Sequence, residues 1–160
     1  MRELTFEPLT REAFAPYGEV LETDGADHFP INEGTTTRFH NLAAAEIDGE
    51  GQTIISIFRG TPRPHPIEIS MLERHPLGSQ AFMPLSNESW LVVVAHKPEV
   101  HALKCFRACG NQGVQYAPNI WHHPLLVLVP EQDFLIVDRD GPGNNLEEVT
   151  LAEVAVISAP

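Results

Sequence analysis

Two adjacent histidines lie near the end of the stretch with the most potential for chemistry, residues 113–124. His122 and His123 directly precede an apolar run, residues 125–129, that is typical of a β-strand. Neighbouring side chains of a strand point to opposite faces, so the two imidazoles cannot both face the same cavity. An imidazole titrates near neutral pH and also binds transition metals. The sequence therefore predicts proton transfer or metal binding at the end of a strand.

A second polar segment, residues 73–84, also leads into a strand-like run and contains His75. The common phosphate-binding, dinucleotide-binding, nucleophile-elbow and zinc-protease motifs are absent from the sequence. Cys105 and Cys109 are separated by three residues, which is not the spacing of zinc ribbons or thiol redox pairs, so free thiols are expected. The two polar segments are therefore the candidate functional site.

Short apolar or alternating segments, separated by turn residues, predict about ten β-strands that would position these polar groups. Residues 67–71 alternate between apolar and polar, whereas residues 90–95 are continuously apolar. One short helix is predicted over residues 10–18, with Thr10 as its N-cap. The 14 prolines, spread along the chain, disfavour a helical bundle. The predicted fold is mainly β, a sandwich or barrel with one or two short helices, and residues 1–160 are expected to form a single domain.

The net charge of −12 argues against partners that require a basic surface. Nucleic acids and anionic membranes are therefore not expected as partners. The first residues carry charge where a signal peptide would be apolar, and no apolar segment is long enough to span a bilayer. A cytoplasmic location is expected. An anionic substrate would need local cationic groups to offset the overall negative charge.

The two polar segments resemble the double motif of the cupin superfamily, in which a small antiparallel barrel carries a site built from two such motifs. The resemblance implies a cupin-like antiparallel β-barrel, also described as a double-stranded β-helix. Placed on the motifs, the ligand positions fall at Glu73, His75, Gln80 and His123. The neutral amide of Gln80 is a poor metal ligand, so the implied metal donors are Glu73, His75 and His123.

The same motif spacing implies which of the adjacent histidines faces the site. It selects His123 as the inward residue, on the same face as Trp121. His122 is then expected to point outward, with a role in packing or in a dimer. Phe82 and Trp121 are expected to form an apolar wall of the pocket.

Longer strings resemble one family within this superfamily, the ureidoglycolate lyases, also called ureidoglycolate hydrolases. The similarity runs in order from residue 9 to about residue 140. The strings are residues 9–18 (LTREAFAPYG), 72–82 (LERHPLGSQAF), 120–125 (IWHHPL) and 133–139 (DFLIVDR). The resemblance implies a homodimer that cleaves ureidoglycolate to glyoxylate and urea in allantoin breakdown, a part of purine catabolism. It also implies stimulation by a divalent metal such as nickel and no organic cofactor.

That reaction requires a base for the substrate hydroxyl, an acid for the leaving urea nitrogen and a cation for the carboxylate. His75 and His123 are the predicted acid/base or metal-binding pair. Gln80 is expected to hydrogen-bond the urea or hydroxyl group. Arg59 and Arg139, each at a strand end, are the candidates for binding the carboxylate.

The alternative for these arginines is a surface ion pair, for instance with Asp138 or Asp140. Alternative functions also remain open. One is a non-catalytic cupin-like module that binds a small carboxylate, and another is an amidohydrolase that releases ammonia. A third is a different cupin enzyme, such as an isomerase or a metal-dependent dioxygenase. The shortage of histidine in the first motif argues against an iron site.

Overall fold

The computed structural model describes all residues, Met1–Pro160, and most of its regular structure is β. Short 3-10 turns occur at Asn32–Gly34 and Val100–Ala102. The strands and the one α-helix are β1 (Arg2–Glu3), β2 (Phe6–Pro8), α1 (Arg11–Phe14), β3 (Gly18–Leu21), β4 (His28–Ile31), β5 (Thr36–Phe39), β6 (Gln52–Gly60), β7 (Ile67–Arg74), β8 (Gln80–Pro84), β9 (Trp90–Ala95), β10 (Lys104–Ala108), β11 (Gly113–Tyr116), β12 (Trp121–His122), β13 (Leu126–Val127), β14 (Gln132–Asp140) and β15 (Glu147–Ile157).

The strands form two main sheets and one separate hairpin. The large sheet has eight strands in the order β1-β15-β7-β12-β9-β10-β2, with β13 also paired to β9. The small sheet has the order β3-β11-β8-β14-β6, and β4 pairs only with β5. All pairings are antiparallel except those of β1 with β15 and of β2 with β10. The prediction of a mainly β, largely antiparallel fold with very little helix is confirmed.

A core rich in aromatic residues fills the space between the two sheets. Trp90 of the large sheet meets Phe134 of the small sheet edge to face, with 4.8 Å between the ring centroids. A second core covers the opposite face of the large sheet and includes Leu91 and Val93. Both faces of β9 are therefore buried, which explains the continuous apolar run at residues 90–95. Truncation of a core tryptophan such as Trp90 typically costs about 3–5 kcal/mol of stability.

The helix α1 is shorter than predicted. Thr10 caps it as expected, because its Oγ1 accepts a hydrogen bond from the backbone N–H of Ala13 at 3.2 Å. The helix ends at Phe14, and Gly18 already begins β3 at positive φ, where a Cβ would collide with the carbonyl oxygen of Gln115. No helix in the structure has both the length and the apolar character needed to cross a bilayer.

Strand register decides which polar side chains face the space between the sheets. His122 pairs directly with Glu73 of β7 and with Val94 of β9. Cross-strand partners share a face, and Val94 belongs to the core between the sheets, so His122 and Glu73 also face inward. Trp121 pairs with Ala95 and faces the second core on the other side of the large sheet.

Candidate active site

Three ligand-type side chains meet on the inner face of the large sheet. The donor atoms of Glu73, His75 and His122 all lie within 4.8 Å of one another. Glu73 is near the end of β7, His75 follows that strand, and His122 ends β12. The Nε2 atom of His122 is 3.6 Å from Oε1 of Glu73, which is longer than a hydrogen bond. We refer to these three residues as the Glu-His-His group.

Hydrogen bonds to the backbone fix the tautomers of both histidines. Nδ1 of His75 is 2.9 Å from the carbonyl oxygen of Asn145, and Nδ1 of His122 is 3.0 Å from that of Ile120. A carbonyl oxygen only accepts, so Nδ1 is the protonated nitrogen and the neutral ring keeps a lone pair on Nε2. Both Nε2 atoms are buried and have no hydrogen-bond partner. Buried polar atoms usually have a partner, so these two atoms are available to a ligand.

The Glu-His-His group fits a divalent transition metal. Two imidazole nitrogens and one carboxylate form a donor set that such ions commonly occupy. Attraction to a proton on Nε2 of His122 is the main cause that lowers the pKa of Glu73, and burial opposes it. The carboxylate is therefore ionised at neutral pH, as a metal ligand must be. This proton and a metal would occupy the same nitrogen of His122, so the two belong to different states of the ring.

The small sheet supplies the opposite wall of the site. Gln80 of β8 pairs in register with Tyr116 of β11, so both face the core between the sheets. Nε2 of Gln80 donates a hydrogen bond to Oδ2 of Asp138 at 3.1 Å, while Oε1 of Gln80 is buried without a partner. Burial raises the pKa of Asp138, and the hydrogen bond from Gln80 and the proximity of His75 oppose that shift. The two walls thus present unpartnered nitrogen and oxygen atoms.

Tyr116 and Asp138 belong to this arrangement, and the sequence interpretation missed both as site residues. The alternation within β14 could have identified Asp138, because it is in phase with the fully buried Phe134 and Ile136. Tyr116 stacks on His122, with 4.2 Å between the ring centroids. Burial is the main cause that raises the pKa of the Tyr116 phenol, so the side chain stays neutral. No sequence signal marks that stacking, because it joins two sheets.

His123 lies outside the Glu-His-His group. The inward position that the motif spacing gave to His123 is occupied by His122. The cause is the register of β12, which pairs His122 rather than His123 with Glu73. The ring of His123 is buried, and its Nδ1 donates to the carbonyl oxygen of Pro124 at 2.8 Å. Burial is the main cause that lowers the pKa of His123 to about 4, so the ring is neutral at physiological pH. The expected outward orientation of His122 is corrected accordingly.

The two aromatic residues of the expected wall lie on different faces of the large sheet. Phe82 lies in the core between the sheets and contacts Tyr116 edge to face at 5.7 Å. Trp121 belongs to the second core, beneath the guanidinium of Arg74, which is 4.4 Å from the ring centroid. Phe82 therefore borders the site, whereas Trp121 does not share its face.

The two candidate arginines lie away from the Glu-His-His group. Arg59 is exposed on β6 and forms two hydrogen bonds with the carboxylate of Asp133, at 2.9 and 3.0 Å. Arg139 is 8% exposed and donates to the backbone carbonyl oxygens of Asp48 and Pro142. Adjacent positions of a strand face opposite ways, so Arg139 points away from the core that Asp138 faces. Both arginines had been expected, from their charge and their place at strand ends, to bind the substrate carboxylate.

A surface cleft of about 290 Å³ adjoins His75. Pro76 and Leu77, which directly follow His75, contribute to its wall together with Pro118. Hydrogen bonds hold its rim, since the backbone N–H of Asp48 donates to the carbonyl oxygen of Leu77 at 2.9 Å. None of the three residues of the Glu-His-His group lines this cleft.

Comparison with solved structures finds a distant similarity. A dTDP sugar isomerase from Desulfovibrio desulfuricans G20 aligns with a TM-score of 0.46 and 14% sequence identity. The alignment covers 84% of this chain and 85% of that one. At this level the similarity carries no argument about function.

Comparison by sequence finds much closer relatives. The family model for ureidoglycolate lyase matches residues 1–158. A ureidoglycolate lyase of Pseudomonas syringae pv. syringae (strain B728a) is 54% identical over 157 residues, covering 96% of this chain and 92% of the relative. One of Burkholderia mallei (strain NCTC 10229) is 52% identical with the same coverage of both chains, and one of Rhizobium etli (strain CIAT 652) is 53% identical, covering 98% and 96%. As its motifs predicted, the chain belongs to the ureidoglycolate lyase family.

Proposed function

We propose that this protein is a carbon–nitrogen lyase that cleaves ureidoglycolate into glyoxylate and urea, a step of allantoin breakdown in purine catabolism. Family membership over nearly the whole chain supports the substrate. The Glu-His-His group, with two buried Nε2 atoms that lack partners, is the observation that carries the proposal for the site. The whole chain is proposed to act as one cytoplasmic domain, and its two free cysteines are consistent with a reducing compartment.

Cleavage requires two coordinated proton movements. A base removes the hydroxyl proton, the hydroxyl carbon and oxygen form the carbonyl of glyoxylate, and the electrons of the broken C–N bond pass to nitrogen. An acid then protonates that nitrogen to give urea. A neutral imidazole with a free lone pair suits the first step, and such proton transfer is worth about 10²–10⁴-fold in rate. We assign the acid/base role to Nε2 of His75 and Nε2 of His122. The sequence had suggested His75 and His123 for this pair.

The Glu-His-His group would also hold a divalent metal, for which nickel is the first candidate from the family resemblance. The ion would supply a Lewis acid for the hydroxyl oxygen of the substrate. In that state His75 and His122 are ligands, and Gln80, on the opposite wall, remains to hydrogen-bond the substrate. Turnover of metal-free protein therefore decides between base and ligand as the role of the two imidazoles.

Product identity tests the proposed reaction. Purified protein incubated with ureidoglycolate should release glyoxylate and urea in equal amounts. Ammonia in place of urea would identify an amidohydrolase instead. Saturable stabilisation by ureidoglycolate without any product would identify a binding module. Either result would overturn the lyase proposal.

Chelation and analysis of bound metal test whether the Glu-His-His group binds a metal. Loss of turnover after chelation, with recovery on addition of Ni²⁺, would establish the histidines as ligands, and Glu73→Gln should then lose the recovery. Undiminished turnover after exhaustive chelation would establish them as bases. Iron also suits this donor set, contrary to the expectation from sequence, because His122 supplies a second histidine. Bound iron without urea release would therefore favour a dioxygenase.

We propose that the protein is a homodimer through the outer face of the small sheet. On β6, Ile55 and Ile57 are 72% and 60% exposed, and they pair in register with Val137 and Leu135 of β14. These four side chains share one face, and β6 is an edge strand. An exposed apolar patch beside an open sheet edge is typical of an interaction surface. The separate hairpin β4–β5 exposes further aromatic side chains, Phe29 and Phe39.

A further inference from the structure

Gln80, which is buried, and Asp138, which is half-buried, form a hydrogen-bonded pair on the wall that faces the Glu-His-His group. They lie on adjacent antiparallel strands, and Nε2 of Gln80 donates to Oδ2 of Asp138 at 3.1 Å. Asp138 alternates with Phe134 and Ile136, which are both fully buried between the sheets. Gln80 is 7% exposed and lies beside Tyr116 in the register of β8 and β11. Both side chains therefore point toward the site.

The chemistry of this pair fixes the orientation of the amide. An ionised carboxylate can only accept hydrogen bonds, whereas a glutamine side chain has one donor end and one acceptor end. The nitrogen of Gln80 must therefore face Asp138. Its oxygen, Oε1, then faces away from Asp138 and is buried without a partner. The free end of this side chain is an acceptor, so it matches a donor on a bound molecule.

Ureidoglycolate offers two kinds of donor, its hydroxyl and the N–H groups of its ureido part. The hydroxyl proton is the one removed in cleavage, and the imidazoles proposed to act on it lie on the opposite wall. The ureido N–H groups are the donors that remain for the small sheet. Glyoxylate, the product without the ureido group, has no such donor to offer.

We propose that Asp138 is a positioning residue that turns the Gln80 amide so that its oxygen accepts a hydrogen bond from a ureido N–H of the substrate. The identity of the ligand in this inference rests on the proposed function. The orientation of the amide does not, because it follows from the hydrogen bond to Asp138. It makes Gln80 and Asp138 the part of the site that selects the ureido group. It also assigns a function to Asp138, which otherwise resembles a surface partner for an arginine.

Exchanging the donor and acceptor chemistry of the pair gives the decisive test. Gln80→Glu sets two carboxylates against each other and should lower kcat/KM by about tenfold or more. Asp138→Asn alone allows the amide both orientations and should cost about two- to fivefold. In the double variant, the new amide at position 138 donates to the new carboxylate at position 80, whose second oxygen again faces the substrate. The kcat/KM of the double variant should therefore return to within about threefold of wild type. A double variant no better than Gln80→Glu overturns the proposal.

Two further measurements separate recognition from mere packing. The inhibition constant of glyoxylate should change less than about twofold in all three variants, while the KM of ureidoglycolate rises. An equal change for glyoxylate would overturn the assignment to the ureido group. Gln132→Glu is the matched control, because Gln132 is also buried with an unpartnered Oε1 but donates to the backbone carbonyl of Glu88. Addition of Asp138→Asn should not restore any kcat/KM that Gln132→Glu loses.

The orientation itself is measurable without turnover. In ¹⁵N-labelled protein, the side-chain amide signals of Gln80 are identified by their loss in Gln80→Glu. They should shift and lose protection from exchange in Asp138→Asn. Unchanged signals would overturn the orientation even if ureidoglycolate is cleaved. Shifted signals in a protein that does not cleave ureidoglycolate would leave the orientation intact and refute only the proposed function.

Discussion

The ring of Tyr116 lies parallel to the ring of His122, with 4.2 Å between the centroids and 7° between the planes. Tyr116 belongs to the small sheet and His122 to the large one, so this contact joins the two sheets at the candidate site. Together with the hydrogen bond from Nδ1 to the carbonyl oxygen of Ile120, the stacking fixes the plane of the imidazole. A neighbour that fixes the plane of a ligand ring usually matters for binding.

Replacing the stacked ring should therefore weaken the site more than removing its hydroxyl group. Tyr116→Phe keeps the ring, and Ni²⁺ affinity and turnover should stay within about threefold of wild type. Tyr116→Leu loses the flat surface and should weaken Ni²⁺ binding by about 10–100-fold. Isothermal titration with Ni²⁺ and a urea-release assay measure the two effects. Equal behaviour of the two variants would show that stacking is irrelevant.

The adjacent histidines should differ sharply when each is replaced. His122→Ala removes a member of the Glu-His-His group and should lower kcat by at least about 100-fold. His123→Ala leaves the group intact, so folded protein should keep kcat within about tenfold of wild type, although it loses a buried side chain. Steady-state kinetics on variants with native circular dichroism measures the difference. A greater loss in His123→Ala would return the catalytic role to His123.

Stability should depend on pH through His123. Its pKa falls from an ordinary value of 6.5 to about 4 in the folded protein, so between these values the unfolded chain binds more protons. Burial of the neutral ring therefore costs no stability above pH 6.5. As the pH falls from 6.5 toward 4, protonation of His123 in the unfolded chain lowers the free energy of unfolding. By linkage the loss is about 2 kcal/mol at pH 5. Urea denaturation of chelator-treated protein at pH 7.5 and pH 5 should show it, and His123→Gln should show a smaller difference. The same difference in both proteins would contradict the assignment.

A charge placed on the exposed face of the small sheet should disrupt the proposed dimer. Ile57→Lys sets two like charges into a two-fold interface, so light scattering should report a monomer at micromolar concentration. Leu146→Lys is the control, because Leu146 is also exposed but lies just before β15 rather than on the small sheet. It should leave the dimer unchanged. A wild-type monomer, or a dimer that tolerates Ile57→Lys, would refute the interface.

Sequence periodicity predicted the β architecture because the strands of the core are long enough to repeat their pattern. Residues 90–95 form a strand as predicted, and their continuous apolar run fits its burial on both faces. The shortest strands were not resolved by pattern, because two residues contain no period. β12 is one of these, and the orientation of His122 and His123 depends on it. Its pairing with Glu73 comes from tertiary structure, so motif spacing chose the wrong neighbour.

The candidate site was predictable to the level of its two segments. Glu73, His75 and Gln80 came from the first segment, and the structure places all three between the sheets. The arginines were chosen for their charge and for their place at strand ends, but the phase of β14 turns Arg139 away from the core and turns Asp138 toward it. The charge of a residue is evident from the sequence. The face of the strand on which a polar residue lies is evident only when its position is compared with those of the buried residues of the same strand.

The two histidines of the Glu-His-His group are held by main-chain oxygens, those of Asn145 and Ile120, and no side chain supplies these acceptors. A point substitution cannot remove a carbonyl oxygen. The tautomers of both rings should therefore withstand most replacements in the loops around the site. Deletions or insertions in the turn after β14 would instead shift the oxygen away from His75. The site is thus tolerant of changes in loop sequence and sensitive to changes in loop length.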